Sequence, residues 1–156
     1  MIIRIALLAS FIAALFVTLP DRARAQDDIQ EHRSCSECGM DRKAYGYSRM
    51  LIQLQDGVHI GVCSLHCAVT ELDTHKEQAV KSILVADRDT RIMIDADKAF
   101  WVLGGSKRGV MTPLPKWAFG TEAAAHAFIA DNGGRLTNWT EALAAARAET
   151  TAKPKK

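Results

Sequence analysis

The residues of this chain best suited to chemistry are its four cysteines, which fall into two clusters. Cys35-Ser36-Glu37-Cys38-Gly39-Met40 packs two thiols and a thioether into six residues. Cys63 and Cys67 follow, with His66 between them. Cys-x-x-Cys sets two sulfurs on one tight turn, close enough to chelate one metal ion or to close a small disulfide ring. Cys63 and Cys67 are i and i+4 across the expected first turn of a helix, so their side chains share a face. The positive end of that helix is expected to favour the thiolate at Cys63, and His66 leaves the same turn with an imidazole to add.

Four thiolates suit zinc. Met40 tilts the set towards copper(I), because a thioether is a soft ligand that zinc accepts poorly. In an extended segment Cys38 and Met40 would point the same way. Each of these residues also has a plain structural reading. Met40 and Met111 alone read as packing, although Met111 sits in a Gly/Pro-bounded loop, where function concentrates. His66 alone reads as a solvated helix residue, and His59 and His75 as surface residues. Asp95 and Asp97 read as turn and capping residues. No Ser-His-Asp order or phosphate-cradling glycine loop is evident.

The elements that must position these residues follow from pattern. Tyr47 to Leu54 is apolar enough for a strand, Asp56-Gly57 is a hairpin signal, and Val58 to Val62 alternates as the returning strand. Ser64 is the expected N-cap of a helix with Leu65, Ala68, Val69 and Leu72 on its buried face, fading near Thr74-His75-Lys76. Strands are expected at Ser82–Ala86, Arg91–Ile94, Ala99–Leu103 and Trp117–Phe119, with a loop from Gly104 to Lys116. Thr121 should cap a helix to Asp131, burying Ala124, Ala127 and Phe128, and Asn132-Gly133-Gly134 should stop it. Leu136 begins a short strand, and Thr140 caps a last helix to about Glu149. Trp101, Trp117 and Trp139 read as core. The order strand, turn, strand, helix over Arg49–Leu72 echoes in Arg91–Asp131, with the long loop inserted before the last strand and helix.

The chain's 156 residues fit one domain, or two very small ones. Residues 1–25 read as a secretory signal peptide: Arg4, an apolar run from Ile5 to Leu19, Pro20, then Ala23-Arg24-Ala25 before a cleavage point. The alternative is an uncleaved N-terminal anchor. No cysteine sits where a lipid anchor would need one, so the processed chain should be soluble. Residues 26–34 read as polar and extended or mobile, and 151–156 as a disordered basic tail. Removing Arg4, Arg22, Arg24 and Asp21 takes the 20 basic and 18 acidic residues to 17 of each. That balance gives no electrostatic case for nucleic acid or membrane partners. Export makes two disulfides the default for four cysteines.

The combined pattern resembles the NosL family of copper-binding accessory proteins of nitrous oxide reductase. The resemblance rests on Cys35-x-x-Cys38-Gly39-Met40, the Asp56-Gly57 hairpin, Ala99-Phe-Trp-Val-Leu-Gly-Gly-Ser106, Gly109-Val-Met-Thr112, Trp117-Ala-Phe-Gly120 and Asn132-Gly-Gly-Arg-Leu136. It implies an α+β fold of two small related ββα-type units in one compact domain over residues 26–150, with subunits at about 35–80 and 82–140. It also implies a periplasmic copper(I) metallochaperone rather than an enzyme, taking copper from a donor and passing it to an apo copper enzyme such as nitrous oxide reductase. By position, Cys38, Met40 and Met111 match that family's metal-related residues. The Cys63-Ser-Leu-His-Cys67 cluster is instead similar to the cysteine pattern of TRASH-type heavy-metal-binding domains. The candidate metal residues are therefore Cys35, Cys38, Met40, Cys63, His66, Cys67 and Met111. The alternatives are a structural or sensor zinc site and a disulfide-stapled interaction domain.

Overall fold

A computed structural model of the protein describes residues 24–152. Nearly all of the expected signal peptide, and Lys153–Lys156 of the expected tail, lie outside the described residues. The described residues form an α+β fold of four helices and two small antiparallel sheets.

The first unit is built from β1 (Met50–Leu54), β2 (His59–Val62) and α2 (Leu65–Thr74), preceded by α1 (Arg24–Glu31). Asp56-Gly57 makes the turn between β1 and β2: Gly57 takes φ +90 and Asp56 accepts from the Val58 amide. β3 (Val80–Ala86) returns to pair with β1, and β4 (Met93–Asp95) pairs with β3, giving the order β2-β1-β3-β4. The second unit repeats the plan: β5 (Phe100–Leu103), β6 (Lys116–Phe119), α3 (Glu122–Asn132), then β7 (Arg135–Thr137) returning to β5, in the order β6-β5-β7. In both units the strand after the helix pairs with the first strand of the hairpin. The echo is therefore real but shifted: Arg91–Ile94 belongs to the first sheet, and the second unit starts at β5. The long loop falls inside the β5–β6 hairpin.

The two units share one core. Leu54, Val62, Cys63, Cys67 and Val69 from the first, and Trp101 and Ala118 from the second, are buried in one cluster with Ala142 and Ala146 of α4 (Trp139–Ala152). Trp101 and Trp139 meet at 5.5 Å between ring centroids. Trp117, Phe119 and Phe128 fill a second cluster beneath α3. Asp87 ties the sheets together: Oδ1 accepts from the Asp89 and Thr90 amides and Oδ2 from the Gly120 amide at 2.6 Å.

Several expectations need correction. Residues 26–31 are helical and not extended: α1 runs to Glu31, held by Asp28, which is buried and pairs with Arg42 at 2.8 Å and Arg49 at 3.0 Å. Buried charges persist only when paired, and no local pattern announces a partner twenty-one residues away. In α3 the buried residues are Ala125 and Phe128, whereas Ala127 is exposed. The last helix is capped by Asn138, which accepts from the Glu141 amide, and it runs on to Ala152. Ser64 occupies the N-cap of α2 but its side chain makes no capping hydrogen bond.

Candidate metal centre

Cys35 to Met40 forms a closed turn. The Cys35 amide donates to the Met40 carbonyl and the Gly39 amide to the Cys35 carbonyl, beneath a bridge between Ser34 and Asp41. Gly39 takes φ +75, a left-handed conformation that suits a residue without Cβ. The segment is thus not extended, and Cys38 and Met40 share an environment for another reason: both are partly buried against the main core. The Ser36 amide donates to the Gly61 carbonyl at 2.9 Å, which docks the turn on β2. β2 leads straight into Cys63, and α2 begins two residues later, so turn and helix start face each other.

The result is one cluster. The sulfurs of Cys35, Cys38, Cys63 and Cys67 all lie within 4.8 Å of one another. Cys38 Sγ is 3.5 Å from Cys63 Sγ, and Cys63 Sγ is 3.7 Å from Cys67 Sγ. A tetrahedral centre with metal–sulfur bonds of about 2.3 Å has sulfur–sulfur edges of about 3.8 Å, so the spacing fits a single ion. None of the four cysteines is in a disulfide; Cys35, Cys63 and Cys67 are buried and Cys38 is partly exposed.

The cluster's charge is not where the helix alone would put it. S–H donation from Cys63 and Cys67, together with the Cys38 and Cys63 amides, holds the Cys35 pKa far below the ordinary thiol range and favours the thiolate there. Cys63 is instead pushed up to about 12, first because its proton is committed to Cys35. Cys67 is raised as well, by its hydrogen bonds to Cys35 and Cys63 and by burial. The expected thiolate at Cys63 is therefore corrected. Four converging donors outweigh one helix end whose effect fades within a turn. Nearby, the Glu37 carboxyl is raised by partial burial, by Glu71 and by the Cys35 charge. These groups give the site a negative field.

The remaining candidates are placed around the cluster. Met40 packs against the core beside Cys38. His66 is half-buried and is not part of the four-sulfur group. It lines a small cavity of about 20 Å³ between the units, opposite Val110, Thr112 and Lys116 of the β5–β6 loop. Met111, between Val110 and Thr112, is 42% exposed with φ +59. Its loop is pinned behind it: Thr112 Oγ1 and Lys116 Nζ both donate to the Glu149 carboxylate. His59 and His75, expected at the surface, are half-buried, and His75 Nδ1 lies 2.9 Å from the Glu71 carbonyl.

The sequence reading missed the Asp28–Arg42–Arg49 network, which fixes the approach to the turn. Arg42 donates to the Val62 carbonyl at 3.2 Å and to the Met50 carbonyl at 3.0 Å, bracing β1 and β2 just ahead of Cys63.

The sequence profile of the NosL family matches residues 26–146. No curated protein sequence matches the chain. Among solved structures, the crystal structure of the copper chaperone NosL from Shewanella denitrificans aligns with a TM-score of 0.57 at 24% identity. The alignment covers 70% of this chain and 89% of that one; at this identity it speaks to the fold. With a family match over most of its length and the same architecture, this chain belongs to the NosL family.

Proposed function

We propose that this protein is a copper(I) metallochaperone of the periplasm and not an enzyme, with copper as its cargo. The observation that carries the reading is the gathering of four sulfurs within 4.8 Å in a member of the NosL family. Thiolates are the donors that select copper(I). Met40 and the exposed Met111 offer thioethers, and His66 an imidazole, as further donors to the cargo.

A transfer mechanism follows from this reading. Cys35 carries the charge that first attracts the cation, helped by Glu37 and Glu71. Cys63 and Cys67 lose their protons as copper binds, so loading releases protons to solvent. Cys38 is the partly exposed sulfur, and it is the ligand an incoming donor or client replaces first. Copper(I) accepts two to four soft ligands, so a partner's thiolate or imidazole joins before Cys38 leaves. Met111 holds the departing ion on the way out. The client is an apo copper enzyme such as nitrous oxide reductase and the source a copper donor; nucleic acid and stable membrane insertion play no part. No helix among the described residues is long and apolar enough to cross a membrane.

The test is anaerobic transfer: copper(I)-loaded protein mixed with apo client should surrender its copper, and Met111→Leu should slow the transfer. No copper movement to any copper-enzyme client would rule the chaperone reading out.

A second reading is a structural zinc centre at the four cysteines. Three buried thiols at tetrahedral spacing favour it. Chelation separates the two: removing a structural zinc unfolds the domain, whereas removing cargo copper leaves it folded.

A further inference from the structure

A second group of donors meets at the far end of β2. Glu31, His32 and His59 each present a ligand atom, and these atoms lie within 4.8 Å of one another. Among the described residues, this set and the four cysteines are the two clusters of three or more such donors. Glu31 ends α1, His32 follows it, and His59 opens β2.

The local build brings them together. Arg42 Nη1 donates to the carbonyls of Asp28 and His32 at 2.8 and 2.7 Å, which fixes the end of α1 over the sheet. Gly61 stands two residues from His59 on the same face of β2. A Cβ at Gly61 would lie 2.5 Å from His32 Cβ, so the bare glycine is what seats His32 beside His59. His32 Nε2 is shielded from solvent and has no hydrogen-bond partner; Glu31 Oε1 is 3.8 Å away, too long for one. A buried ring nitrogen left unpaired in this way calls for a ligand. Asp28 offsets part of the positive charge of Arg42, because the same carboxylate also pairs with Arg49.

We propose that Glu31, His32 and His59 form a second metal site, which takes a divalent cation of borderline hardness such as zinc(II), with water in its open positions. Two imidazoles and one carboxylate suit that class of ion and not copper(I). Four residues of extended strand, about 13 Å, separate His59 from Cys63, so the two sites fill independently.

The test uses reduced full-length protein under anaerobic conditions, with cobalt(II) and zinc(II) as probes. Cobalt at the cysteines reports through a near-ultraviolet sulfur-to-metal band, which cobalt at the histidines lacks. The expected result is that His59→Gln and His32→Gln each hold one zinc fewer per chain than wild type, with the sulfur-to-cobalt band unchanged. Glu31→Gln, at an exposed helix end, should weaken that zinc by at least about tenfold, the scale seen on losing even an outer-shell partner. Wild-type zinc content in both histidine variants would overturn the proposal. So would loss of zinc that always accompanies loss of the sulfur band, because the variants would then be acting through the cysteines.

Discussion

Cys38 Sγ lies 3.5 Å from Cys63 Sγ across twenty-five positions of sequence. The contact depends on the docking of the Cys35–Met40 turn on β2 through Ser36 and Gly61. Gly61 is the tight point: an added Cβ would sit 2.5 Å from His32 Cβ and 2.8 Å from the Arg42 guanidinium carbon. Gly61→Ala should therefore push the segment before the turn off the sheet. We expect a loss of about 1–3 kcal/mol in urea unfolding, as for an overpacked core. Slower loading of the sulfur cluster should accompany it. Wild-type stability would show that the docking is looser than described.

Asp28 offers a second check. Its carboxylate serves two guanidiniums that are themselves almost fully buried. Asp28→Ala removes the carboxylate that both guanidiniums share, and breaking such a buried pair costs about 3–5 kcal/mol. Denaturant unfolding should show a midpoint shifted strongly down with an unchanged slope.

How legible all this was in the sequence differs between features, for physical reasons. The Asp56-Gly57 hairpin, the Thr121 cap and the Gly133 stop are local chemistry, and each stands where its residues predicted. Thr121 Oγ1 accepts from the Ala124 amide, and Gly133 takes φ +71. The pairing of the two cysteine clusters was readable as a spacing. The depressed thiol at Cys35 was not, because most of its donors, those of Cys63 and Cys67, reach it only through the fold. Asp28, Arg42 and Arg49 were invisible for the same reason: charged residues look alike in sequence whether they face water or each other. His59 reads as a surface residue until α1 places His32 beside it.

Asp87 predicts a pH dependence. Its burial alone would raise the carboxyl pKa, but hydrogen bonds from Thr90, Gly120 and Asp89 outweigh it and hold the pKa below the ordinary value. A depressed carboxylate stabilises the fold above its unfolded pKa of about 3.9 and loses that contribution as pH falls through the lower folded value. Stability should therefore drop below about pH 4. Asp87→Asn should flatten part of that drop while costing about 1–3 kcal/mol at neutral pH, measured by thermal unfolding across the pH range.

Loading should also depend on pH in a known direction. Cys63 and Cys67 hold their protons tightly, Cys63 up to about 12, and copper must displace them. Apparent affinity should rise with pH through the neutral range, with protons released on binding. A calorimetric titration in buffers of different ionisation enthalpy counts them.

Met111 is exposed on a pinned loop, so its side chain is free to serve function without serving the core. Met111→Leu should unfold within about 0.5 kcal/mol of wild type, as exposed substitutions do. It should still slow copper release to a client. An unchanged transfer rate would remove Met111 from the pathway.

The most direct test of the copper account is anaerobic titration of the reduced protein with copper(I) against a competing chelator, for wild type and Cys38→Ala. The account predicts tight binding by wild type and at least about a tenfold loss in Cys38→Ala, or about 1.4 kcal/mol, with the fold intact by circular dichroism. Equal affinity in the two proteins, with both folded, would contradict it.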